Sequence, residues 1–173
     1  MRTILTILWI LSLSIVAIAD ETSTTFDRCV VLNDGDNQTA ESKLAAYFAI
    51  PQAVYDKEII YVEIEFELSL QAPQGSSVFE LRAYPLLSDW TEQNIEYDAV
   101  TDSMSYGAYT ISIGDQDDFH IDITEFVREI VEGERTNYGL MCDADLLGDS
   151  YVRVPANVGN AIKNNAVINI IYK

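Results

Sequence analysis

The residues that could do chemistry here are mostly oxygen donors. Asp34/Asp36/Asn37, Asp115/Asp117/Asp118 and Asp143/Asp145/Asp149 are three short oxygen-rich loops. Calcium takes about six to eight oxygens, several of them from carboxylates on flexible loops. None of the three fits the EF-hand template, since Thr39 stands where the first would need glycine and Val154 where the third would need its last glutamate. Asp34, Asp36 and Asn37 are the candidate metal ligands, for a structural Ca2+. The plainer reading is a solvated acidic surface. Glu63, Glu65 and Glu67 form a carboxylate row, read either as a solvated face that discourages edge pairing or as a cation ladder.

Catalytic signatures are absent, and no catalytic residue is assigned. The single histidine, His120, sits in a strand-like run, where a structural role is the usual one. There is no Gly-x-Ser-x-Gly elbow, no His-Glu-x-x-His and no phosphate loop. Carboxylates are so numerous that a glycosidase pair has no distinguishing mark. The chain is therefore read as not an enzyme. Aromatic rings are the usual sugar readers, and Tyr97, Tyr106 and Tyr109 are the candidate ligand-binding platform. The alternative is ordinary half-buried strand tyrosines. Trp90 reads as a core plug beneath its loop. Asn37-Gln38-Thr39 fits a glycosylation sequon.

The elements that must carry these residues are β-strands. Alternation is clearest over 58–70, where Ile60, Val62, Ile64, Phe66, Leu68 and Leu70 alternate with Tyr61 and the glutamates. That period means one buried and one wet face. Further strands are expected at 28–32, 43–50 (stopped by Pro51), 77–86, 106–113, 119–123, 138–143, 150–154 and 167–173, with 20–26 as a tail. The turn at 72–76 makes 58–70 and 77–86 a hairpin-like pair. Residues 88–105 read as a structured loop. One short helix is expected at 124–132, with Asp122 or Thr124 as cap, Phe126, Val127, Ile130 and Val131 on one face, and Gly133 as its stop. Many short strands and one helix indicate an all-β antiparallel sandwich or jelly roll.

The first residues indicate the compartment. A cationic start, an uncharged run over 4–19 and the small-x-small site Ala17-Ile18-Ala19 make a secretory signal peptide. A membrane anchor is the alternative, but a span needs about 20 apolar residues. The expectation is a signal at 1–19 and one secreted, extracellular or cell-surface domain over 20–173. Cys29 and Cys142 then read as a disulfide by default of an oxidising compartment, or else as two buried thiols. With 28 acidic and 10 basic residues the formal charge is −18. Such a chain repels polyanions, so nucleic acid and anionic membrane surfaces are excluded as partners.

The order of several phrases resembles the DNRLRE-type β-sandwich domains, related to carbohydrate-binding module family 96. These are Leu44-Ala45-Ala46-Tyr47-Phe48-Ala49-Ile50-Pro51, the alternating strand, Trp90-Thr91-Glu92, Asp122-Ile123-Thr124, the helix-ending Gly133 and Asn137-Tyr138-Gly139-Leu140. Where relatives often carry a second tryptophan, this chain has Tyr97. The resemblance implies a secreted, non-catalytic module that binds extracellular or cell-surface polysaccharide, possible calcium assistance included. Carbohydrate-binding relatives take acidic polymers such as alginate, which a strongly acidic domain would repel. The second reading is a structural or assembly subunit of a surface layer, appendage or extracellular matrix.

Overall fold

The computed structural model describes residues 19–33, 42–69, 78–96, 98–112, 116–146 and 162–173. Nine strands and one helix are numbered in chain order: β1 Asp20–Thr24, β2 Arg28–Asn33, β3 Ser42–Tyr47, β4 Ile59–Ser69, β5 Val78–Pro85, β6 Tyr106–Ser112, β7 Gln116–Asp122, α1 Thr124–Val131, β8 Leu140–Leu146 and β9 Val167–Tyr172. They form two antiparallel sheets, ordered β1-β9-β4-β7 and β2-β3-β8-β5-β6. The expected all-β sandwich is what the chain adopts; beside the expected helix α1, a second short helix spans 162–165.

The core lies between the sheets. Val62, Ile64 and Phe66 of β4, Phe119 and Ile121 of β7 and Ile168 and Ile170 of β9 face Leu44, Leu81, Ala83 and Leu140 of the other sheet. Phe126, Val127 and Ile130 bring one face of α1 into the same core. The helix begins where Asp122 Oδ1 accepts the Thr124 N–H at 2.9 Å, and Gly133 follows it with φ +78°, the left-handed stop that glycine supplies without strain.

Four expectations on strands need correction. Residues 20–24 are not a tail, because β1 pairs along its whole length with β9. β4 and β5 are not a hairpin but lie in different sheets. β4 is an inner strand, flanked by β7 and β9, so its glutamates guard no edge. Ile60 does not face the core. The β4–β9 register slips between Ile59 and Tyr61, and this bulge reverses the phase, burying Ile59 and leaving Ile60 39% exposed.

The disulfide expectation is also overturned, as Cys29 and Cys142 are free, buried thiols. Cys29 faces Ala46 on β3, and Cys142 faces Leu44 on the other side of β3. One whole strand intervenes. Two inter-strand spacings come to about 9–10 Å, beyond the roughly 7 Å limit for bridged Cα atoms.

The two outer faces differ. On the five-stranded sheet, the loop after β5 folds back so that Leu86 and Trp90 cover Ala45 and Met141. Trp90 is 3% exposed, donates its indole N–H to Tyr138 O at 2.7 Å and stacks under Arg28. It is the plug its loop suggested. The outer face of the four-stranded sheet carries Tyr61, Glu63, Glu65, His120, Asp122 and Asn169. Among the described residues, no helix is long and apolar enough to cross a membrane.

Candidate functional site

A groove of about 770 Å³ opens where the start of β4, the start of β6, the end of β7 and α1 meet. Each element contributes for a local reason. The bulge in β4 turns Ile60 outward into the groove. It also leaves the carbonyls of Ile59 and Ile60 to Arg128, whose Nη2 donates to them at 2.8 and 3.2 Å. Arg128 further pairs with Glu125. Met104, 59% exposed, adds a second apolar surface. Asp122, Glu125 and Glu129 add carboxylates.

The wall formed by Tyr106 is rigid. Its hydroxyl donates to Glu129 Oε1 at 2.7 Å. Arg135 donates to Glu129 Oε2 at 2.6 Å and to Asp102 Oδ2 at 3.0 Å. Burial, then the bond to Glu129, pushes the Tyr106 phenol up to about 12. Burial works against Glu129 ionising, but the Arg135 and Tyr106 donors outweigh it and hold its carboxyl below the ordinary value. The Met104 backbone N–H, then Arg135, hold Asp102 below it too. At neutral pH the network is therefore Tyr–OH, two carboxylates and one guanidinium.

Among the described residues, Tyr106 and Tyr109 do not form an exposed platform. The Tyr106 ring is buried against Phe126, with centroids 5.7 Å apart. Tyr109 meets Phe119 edge-on at 5.6 Å. Both rings are spent on packing; the register shift beside Gly107 brings two residues three apart to the same side, which plain alternation would not. Tyr97 lies outside the described residues, as do Asp34, Asp36, Asn37 and the sequon.

Sequence reasoning missed one cluster. β4 and β7 pair with Glu65 opposite His120, and Glu63, two residues along, points to the same side. One ligand atom from each of Glu63, Glu65 and His120 lies within 4.8 Å of the others. Tyr61 Oη donates to Glu63 Oε2 at 2.9 Å, and Asn169 Nδ2 donates to Glu65 Oε2 at 2.6 Å. Burial, then Glu63, push the Tyr61 phenol up to about 12, so it stays a donor. No local sequence signal joins residues 63 and 120; only the strand register does.

No protein-family model matches the chain, and no curated protein matches it significantly.

Proposed function

We propose that this protein is a secreted, non-catalytic module that binds polysaccharide, and that the groove between β4, β6 and α1 is the binding site. One observation carries this reading. The groove sets two exposed apolar side chains, Ile60 and Met104, against the carboxylates of Asp122, Glu125 and Glu129. A sugar presents the complementary surface: C–H faces for apolar contact and hydroxyl pairs for carboxylates to accept. Polar groups converging in a preformed concave site are the usual form of a ligand site.

The charge selects among polysaccharides. Among the described residues lining the groove, the carboxylates outnumber the single arginine, Arg128, which is already engaged with Glu125 and the β4 carbonyls. A polyuronate would be repelled. A neutral or amino-bearing polymer fits. The resemblance in the order of phrases to DNRLRE-type domains supports the same reading, and the signal-like residues 1–19 support a location outside the cytoplasm.

The test is retention of the purified protein on immobilised neutral, amino-bearing and acidic polysaccharides. Binding to one of the first two, weakened about tenfold by Met104→Ala or Glu125→Gln, supports the reading; tenfold is about 1.4 kcal/mol. Retention on none of them, with ordered self-assembly instead, supports the structural subunit.

A further inference from the structure

We infer that Glu63, Glu65 and His120 form a binding site for a divalent transition-metal ion of the zinc class. The site stands apart from the groove reading and does not depend on it.

The geometry comes from the sheet. Glu63 and Glu65 are two apart on β4, so both side chains leave the same face. His120 joins them because it is Glu65's partner on β7. The three donors lie within 4.8 Å of one another. Donors about 2.0–2.2 Å from a zinc ion are closer together than that, so small side-chain rotations complete the site.

The state of the imidazole is the second observation. Its Nδ1 is buried and has no hydrogen-bond partner, although Glu63 Oε2 lies only 3.1 Å away. That contact has the distance of an ion pair but not the direction of a hydrogen bond. In the tautomer protonated at Nε2, this nitrogen presents its lone pair toward the two carboxylates, as a metal ligand would. Buried polar atoms without partners are uncommon and call for a cause.

The surroundings agree. Tyr61 and Asn169 hold the carboxylates with neutral donors. These orient the ligands without neutralising them, the usual task of groups behind a metal site. Among the described residues, no lysine or arginine forms an ion pair with Glu63 or Glu65, and His120 is the nitrogen base nearest Glu63. Glu67, Asp118 and Asp122 share this face and deepen its negative potential. Glu63 is 17% exposed and His120 39%, partly screened yet open to entry. An imidazole among carboxylates suits zinc and its neighbours. Calcium prefers oxygens alone.

The chain has one histidine, so its imidazole C–H resonances give an unambiguous probe. Tag-free protein would be titrated with Zn2+ and, separately, Ca2+, followed by NMR and calorimetry. One equivalent of Zn2+ should shift the His120 resonances, and Ca2+ should not. Asn169→Ala should weaken zinc binding by about 10-fold, within the range over which ligand-supporting groups act, and Glu65→Gln, which removes a ligand, by about 100-fold or more. Unchanged His120 resonances with zinc, or wild-type affinity in folded Glu65→Gln protein, would overturn the site. Should Glu65→Gln not fold, the resonance shift in the unaltered chain still decides.

Discussion

The Tyr106 hydroxyl donates to Glu129 Oε1 at 2.7 Å, tying the first residue of β6 to the groove-facing side of α1. Arg135 reaches the same carboxylate and Asp102, so one guanidinium fixes the strand, the helix and the loop before β6. Tyr106→Phe removes one donor and keeps the ring packed on Phe126. It should cost about 1 kcal/mol, measured by urea denaturation. Because Glu129 and Asp102 are held below their ordinary values, their contribution is full above the usual carboxylate range and is lost as pH falls from that range through the lowered folded values.

Thr124 acts as an extra rung of the sheet. Its Oγ1 accepts the buried Val62 N–H at 2.9 Å and donates to Asp122 Oδ1 at 2.6 Å. Thr124→Val keeps the shape and leaves that N–H unpaired, so it should destabilise by about 1–3 kcal/mol. Thr124→Ser should retain most of the stability. Chemical denaturation of the pair separates hydroxyl from methyl.

Two glycines with positive φ should respond differently to alanine. At Gly139, φ is +94° and a Cβ would lie 2.3 Å from Ala46 O. At Gly133, φ is +78° and nothing lies within 4 Å. Gly133→Ala should cost about 1–2 kcal/mol, the left-handed penalty alone. Gly139→Ala adds a backbone clash and should cost about 3 kcal/mol or more. Thermal melts of both variants test the contrast.

The buried thiols set an alkaline limit. Burial pushes Cys29 from 9.0 up to about 11, and burial, then Cys29 and Asp143, push Cys142 up to about 12. Both values are raised, so the unfolded chain loses protons first. The stability is full below pH 9 and is lost as pH rises through about 11 and 12. The melting temperature should fall steeply in that window. Without reductant, a thiol reagent should find no reactive cysteine in the native protein and two per chain in denaturant. No thiols in denaturant would mean a disulfide.

Legibility in the sequence followed the range of the interaction. The alternation at 58–70 and the helix beginning near Thr124 are local patterns, and both elements are present. β1 was hidden because Asp-Glu-Thr-Ser-Thr is polar and becomes a strand only through its pairing with β9, far along the chain. The Ile60 bulge was hidden because alternation looks unbroken across Ile59-Ile60-Tyr61. Its trace lies in the register with β9 and in Arg128's claim on the freed carbonyls. The Glu63–Glu65–His120 cluster likewise depends on which residue of β7 faces Glu65. Tyr106 and Tyr109 were named as candidates by residue type, but their rings face inward, and only Tyr106 reaches the groove.

The most direct test of the groove is the affinity of the purified protein for the best-retained polysaccharide, measured by isothermal titration calorimetry with Met104→Ala and with Leu87→Ala. Leu87 is exposed like Met104 but lies outside the groove. A loss of about tenfold, roughly 1.4 kcal/mol, in Met104→Ala alone is the expected result. Equal affinity in both variants, or equal loss in both, would contradict a polysaccharide site in the groove.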